Sequence, residues 1–290
     1  MVPSRGRRSD HGSWARREEW LVPVVDSRWF VSANADGLER AVRIYCFPHA
    51  GGNPRSFLSW QRDMGEDADI TVVCPPGRLH RFREPALTEV VELANGAVEA
   101  IAATADRPFL LFGHSFGAVV AFEAARRLRD MPALRGLIAS GCSAPALLPT
   151  RRVVETARLE GREFTEAVGF FGGVPPEVLA DEALQELLLP NLRSDLRMVA
   201  RYQYRPAAPL PVPITLINGA DDPHVKEVSV EPWARECVEE PVQHWPAGGH
   251  FYFDGHPEAV TDVLRPLVRA ARGVISNMGD HPVGDHVELI

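Results

Sequence analysis

Short, continuous apolar stretches alternate along this chain with stretches in which apolar residues recur every three or four positions. The continuous stretches at 42–47, 70–73, 109–112, 134–140 and 213–217 read as buried strands, with shorter ones at 29–31 and 242–245. The helical spacing recurs at 57–64, 88–104, 118–129 and 256–272, and a further helix is expected near Trp233. Between the strand at 134–140 and that at 213–217 the regular pattern is lost. That segment, about 144–211, reads as a long irregular insertion rich in apolar and helix-favouring residues. Alternating strands and helices predict βαβ units, hence an α/β class with a mainly parallel central sheet flanked by helices. No internal repeat or low-complexity tract interrupts the pattern.

The breaks between runs carry the chemistry. Gly113-His114-Ser115-Phe116-Gly117 sits directly behind the run 108–112 and ahead of the Ala/Val-rich stretch from Ala118. Strand, tight turn and helix in that order form a nucleophile elbow, the mark of an α/β-hydrolase. Side chains two residues either side of the serine would collide in so sharp a turn, and glycine removes them. Ser115 Oγ is thereby lifted above the sheet, where the N-terminus of the next helix faces developing negative charge.

Ligand sites in such sheets lie at the carboxyl ends of the strands. The run 213–217 ends in Gly219-Ala220-Asp221-Asp222-Pro223, which supplies an acid, and 242–245 ends in Pro246-Ala247-Gly248-Gly249-His250, which supplies an imidazole. Ser115, Asp222 and His250 then follow the chain order of the hydrolase triad. Serine is too weak an acid to ionise unaided; histidine titrates near neutrality, and a carboxylate fixes its tautomer. Asp222 is preferred to Asp221 because a Gly-x-x-Asp loop carries its acid at the fourth position. The loop His49-Ala50-Gly51-Gly52 offers a second oxyanion-hole amide at Ala50, with Phe116 supplying the first. The bland alternative for that loop is an ordinary turn, and for His114 it is packing.

Composition narrows the remaining classes. With 290 residues, 45% of them hydrophobic, the chain can bury one sizeable core, and its net charge of −8 argues against a general nucleic-acid binder. Lys226 is the only lysine, so Schiff-base chemistry has a single candidate. The four cysteines, Cys46, Cys74, Cys142 and Cys237, are scattered without a Cys-x-x-Cys pair; they read as small buried hydrophobes in a reducing compartment, not as a disulfide framework or metal site. Residues 1–26 and 277–290 read as flexible tails around a folded domain at 27–276. The basic N-terminus lacks the apolar core of a signal peptide, and no apolar run approaches membrane-spanning length. A cytoplasmic protein with no membrane partner is expected.

Five separated segments carry a family resemblance. Cys46-Phe47-Pro48-His49-Ala50-Gly51-Gly52, the turn Pro76-Gly77-Arg78 followed by Arg81 and Glu84-Pro85, the elbow, Asn191-Leu192-Arg193-Ser194-Asp195 with Tyr202, and Gly248-Gly249-His250-Phe251-Tyr252 together resemble the type II thioesterases. These are stand-alone editing hydrolases of polyketide and non-ribosomal peptide synthesis, and the likeness spans 29–268. It departs from the family at Phe116, where methionine is common, and in a longer N-terminal extension. The resemblance implies an α/β-hydrolase fold whose insertion is a helical lid. It implies hydrolysis of stalled or wrongly primed acyl groups from the phosphopantetheine arm of a carrier protein, with no metal or organic cofactor. Phe164, Phe170 and Phe171 would then line an acyl tunnel, or equally pack the lid on the core. Arg193, Arg197, Arg201 and Arg205 recur every fourth residue through a helical stretch, as a solvated face or as a docking stripe for an acidic carrier protein. The rivals are a chain-terminating fatty acyl-carrier thioesterase, a carboxylester hydrolase and a non-catalytic carrier-binding protein.

Overall fold

The computed structural model describes residues 24–25, 27–33 and 38–276, with side chains over 27–33 and 38–273. The expected tails at 1–26 and 277–290 lie outside the described residues apart from Val24 and Val25. Eight strands form one sheet among the described residues: β1 (Val24–Val25), β2 (Phe30–Ser32), β3 (Arg43–Phe47), β4 (Asp69–Val73), β5 (Phe109–His114), β6 (Leu134–Ser140), β7 (Ile214–Ile217) and β8 (Val242–His244). Their order is β1-β2-β4-β3-β5-β6-β7-β8. β1 and β2 are antiparallel to their neighbours; β4, β3, β5, β6, β7 and β8 run parallel. Of the parallel strands, β4, β5 and β7 are buried on both faces, which is why they read as continuous apolar runs, whereas the edge strand β8 is largely exposed.

The helices are α1 (Arg55–Leu58), α2 (Trp60–Met64), α3 (Val90–Thr104), α4 (Phe116–Arg127), α5 (Arg151–Thr156), α6 (Gly161–Gly169), α7 (Pro176–Ala180), α8 (Glu182–Ala200), α9 (Glu227–Val230) and α10 (Glu258–Ser276). The side-chain alternation of a strand divides the core into two layers. Tyr45, Phe47 and Leu111 pack with α3 and α4, whereas Ile44, Cys46, Leu110 and Phe112 pack with α1, α2 and α10. The expected helix at 57–64 is broken at Ser59 into α1 and α2, and the helix expected near Trp233 is α9 followed by a 3₁₀ turn.

The insertion is helical, as the family resemblance implied: α5, α6, α7 and α8 all lie between β6 and β7. Thr150 caps α5 through the Val153 amide at 3.4 Å, and Asp181 caps α8 through the Leu184 amide at 3.0 Å. Phe164, Val168, Val178, Leu189 and Leu196 give the insertion a small apolar core of its own. All four cysteines are buried and unpaired. No helix among the described residues is long and apolar enough to cross a membrane.

Candidate active site

β5 ends at His114 and α4 begins at Phe116, so a single residue, Ser115, makes the corner, with φ 54° and ψ −119°. Such a backbone persists only where the surroundings enforce it. Here a Cβ on Gly113 would fall on the Gly117 carbonyl, and one on Gly117 would fall on the Phe47 carbonyl of the neighbouring strand. Both flanking positions therefore require glycine, and the Ser115 amide is tied to the Ser140 carbonyl at 2.8 Å.

The acid and imidazole loops are zipped together by backbone hydrogen bonds. Asn218 donates to His244 at 3.0 Å, Ala220 to Pro246 at 2.8 Å and Asp221 to Gly248 at 2.9 Å. This register brings Asp222 Oδ2 to 2.7 Å from His250 Nδ1, while Oδ1 accepts the His224 amide at 2.7 Å. Asp222 is wholly buried, and its neighbour Asp221 is exposed. Burial pushes the Asp222 carboxyl up, but the hydrogen bond and charge of His250 and the His224 amide outweigh it and hold the group below the usual carboxylate range.

Ser115, Phe116, His49, Ala50 and His250 border one cavity of about 240 Å³, closed elsewhere by apolar side chains that include Phe171, Leu192 and Leu196. Phe116, at the first position of α4, has an amide beyond the reach of any intrahelical acceptor. Among the described residues no acceptor faces the Ala50 amide either. A larger, more open cleft of about 1090 Å³ lies along α6, α7 and α8, but it contains neither Ser115 nor His250. The smaller cavity is the one lined by both the strained serine and the carboxylate-paired imidazole.

Residues 42–268 match the family model of the thioesterase domain. The chain is 34% identical to Thioesterase PikA5 of Streptomyces venezuelae, over 86% of this chain and 89% of that protein. It is 31% identical to Linear gramicidin dehydrogenase LgrE of Brevibacillus parabrevis, over 85% of this chain and 95% of that one. Among solved structures, the type II thioesterase BorB from the borrelidin biosynthetic cluster superposes with a TM-score of 0.75 at 32% identity, covering 83% of this chain and 98% of that one. The chain belongs to the type II thioesterase family. It is a serine hydrolase on the α/β-hydrolase fold. Despite the name of the gramicidin protein, no strand of this thioesterase leads into the Gly-x-Gly-x-x-Gly turn of a dinucleotide site.

Around the imidazole of the thioesterase stand three further histidines. His114 is fully buried, its Nδ1 2.9 Å from Ser140 Oγ, which in turn meets the Tyr252 hydroxyl at 2.8 Å. Its ring lies 4.9 Å from that of His250, and the ring of His224 lies 5.2 Å away on another side. Burial, reinforced by the neighbouring imidazole of His250, holds His114 well below its usual range and brings His49 down to about 4. Burial likewise lowers His224. These rings are neutral packing partners around His250.

The insertion residues divide. Phe171 lines the cavity and stacks on His224 at 5.1 Å. Phe170 is 49% exposed beside it, under the Arg152 guanidinium. Phe164 does not reach the cavity: it is fully buried in the insertion's own core beneath Arg193. The arginine stripe is not a single helical face. Arg193 and Arg197 lie on α8 and share Glu160 as their ion-pair partner, Arg201 caps the helix, and Arg205 lies beyond it. What the sequence left unassigned is a buried pair, Arg78 Nη2 to Asp195 Oδ2 at 2.5 Å, that joins the turn after β4 to α8. Both residues stand in segments that carry the family resemblance, and their opposite charges were the available signal.

Proposed function

We propose that Ser115, His250 and Asp222 are the catalytic triad, with the Ala50 and Phe116 amides as the oxyanion hole, and that the substrate is an acyl thioester on the phosphopantetheine arm of a carrier protein. The observation that carries this reading is the Asp222–His250 contact at 2.7 Å on a cavity shared with the strained Ser115. Asp222 fixes the tautomer in which Nδ1 carries the proton and Nε2 is free to act as a base. His250 takes the Ser115 proton as Oγ attacks the thioester carbonyl. The negative charge that develops on the carbonyl oxygen is received by the two amides. Collapse of the tetrahedral adduct expels the pantetheine thiolate, a good leaving group, which takes the proton from His250 and leaves as the thiol, so the imidazole is neutral again. Water deprotonated by His250 then attacks the acyl-enzyme, and the carboxylic acid departs as Ser115 regains its proton.

In this reading the catalytic domain spans 27–276 and the insertion at 144–211 is the lid over the acyl group. Arg201 and Arg205, which α8 leaves exposed, are docking candidates for an acidic carrier alongside Arg193 and Arg197. Buried, unpaired cysteines fit the reducing cytoplasm, where a carrier protein would be met. The test is mass-spectrometric unloading of a panel of acylated carrier proteins beside the matching free oxyesters. Carrier-bound thioesters should be hydrolysed far faster. Turnover confined to free oxyesters would make the protein a carboxylester hydrolase, and preference for long fatty acyl groups would make it a chain-terminating thioesterase.

A further inference from the structure

We propose that Asp195, held by Arg78, is a positioning residue that locks the oxyanion turn from across the insertion. The inference rests on the assignment of Ala50 as an oxyanion donor. Residues 49–52 form a tight turn closed by the Gly52 amide on the His49 carbonyl at 2.9 Å, with Gly51 at φ 69°. The His49 carbonyl and the Ala50 N–H belong to one peptide plane, so this bond aims the Ala50 amide the opposite way. The next plane, between Ala50 and Gly51, is free of that constraint. Turns with either orientation of their central peptide close with the same end-to-end hydrogen bond. Asp195 removes the choice, because its Oδ2 accepts the Gly51 amide at 2.8 Å.

The same oxygen accepts Arg78 Nη2 at 2.5 Å, and the two side chains are only 6% and 8% exposed. Among the described residues Arg78 Nε and Nη1 have no partner, so Asp195 alone compensates the buried cation. Two further residues of α8 complete the grip. Asn191 Nδ2 donates to the Gly77 carbonyl at 3.2 Å, and Leu192 Cβ stands 2.7 Å from where a side chain on Gly51 would begin. A helix of the insertion therefore sets the conformation of the residue beside the oxyanion amide, 144 positions earlier in the chain.

The experiment separates the acceptor from the charge. Asp195→Asn keeps an oxygen able to accept from Gly51 but loses the ion pair. The double variant Arg78→Met/Asp195→Leu removes both charges, leaving no stranded cation, and also removes the acceptor. Acyl-carrier turnover, melting temperature and binding of an alkyl boronic acid, whose Ser115 adduct places an oxygen in the hole, are read for each. The double variant should melt near the wild type yet lose about 10–100-fold in kcat and in boronate affinity, with KM within about threefold, a fraction of what an oxyanion donor contributes. Asp195→Asn should stay within about threefold of wild-type kcat even if it melts lower. A double variant with wild-type kcat and boronate affinity overturns the inference, as does an Asp195→Asn variant that loses as much kcat as the double variant. Wild-type protein that turns over substrate without binding the boronate would overturn the oxyanion assignment itself, and the inference with it.

Discussion

The nucleophile turn and helix α8 border the same cavity but are held there by different kinds of contact. Around Ser115 the restraint is backbone against backbone: Gly113 and Gly117 sit so close to neighbouring carbonyls that no other residue fits. Around α8 the restraint is a handful of side chains, Arg78 with Asp195, Asn191 with Gly77 and Leu192 against Gly51. Backbone packing leaves the turn one geometry, whereas side-chain contacts can be released and remade. A hydrolase that must admit an acyl arm needs both: a rigid nucleophile, and a cover whose attachment has a small number of identifiable points.

The contrast breaks most plainly at the rigid side. Ser115→Ala should lower kcat about 10⁴-fold or more while leaving the melting temperature near that of the wild type, because the covalent route is lost and only one oxygen is removed. Activity within a tenth of wild type would sink the elbow assignment. Asp222→Asn comes next, with a loss of about 10²–10⁴-fold in kcat as His250 loses its orienting carboxylate, whereas Asp221→Asn should change kcat by less than about twofold. Reversed phenotypes would show that the acid loop presents the wrong carboxylate.

How much of this was legible in the sequence follows the same division. The glycines flanking Ser115, the acid and imidazole loops and the continuous apolar strands are local signals, and β6 was read with its observed limits. The insertion was placed and read as helical, but its individual helices were not. Pro190 lies inside α8, where a proline ordinarily ends a helix, and the arginine spacing runs on past Ala200, where the helix stops. Thr150 and Asp181, which cap α5 and α8, were not singled out from the sequence. Phe164 and Phe171 are the same residue type seven positions apart, and nothing local says that one faces the insertion's core and the other the cavity.

A smaller effect tests the shared environment of the two regions. His49 holds its neutral form down to about 4, and His114 is lowered as well, chiefly by burial. Below about pH 6.5 the unfolded chain takes up protons at these positions that the folded chain refuses. Their contribution to stability is therefore full above that pH and shrinks as pH falls. Melting temperature should drop from pH 7 to pH 5, and His49→Gln should flatten that slope; an unchanged slope would mean that His49 is not buried neutral.

The smallest effect belongs to the insertion's outer face. Arg193 and Arg197 share the single carboxylate of Glu160, so part of their positive charge is already neutralised within the insertion. Arg197→Glu should reduce kcat/KM on acyl-carrier substrates by less than about fivefold, the range of an exposed ion pair, and leave a small acyl thioester unaffected. A larger, salt-sensitive loss confined to the carrier substrate would make Arg197 a principal docking contact.

The four buried cysteines have a consequence for an enzyme whose first product is a thiol. Burial pushes Cys74 up to about 11 and Cys142 up to about 12, and raises Cys46 and Cys237 as well. Since only the thiolate exchanges with disulfides or attacks thioesters, the raised thiols are held in their unreactive form, including Cys142, which lines the cavity beside Ser115. An alkylating reagent should accordingly spare the native protein and modify all four cysteines only once the chain is unfolded, which makes alkylation a clock for global opening.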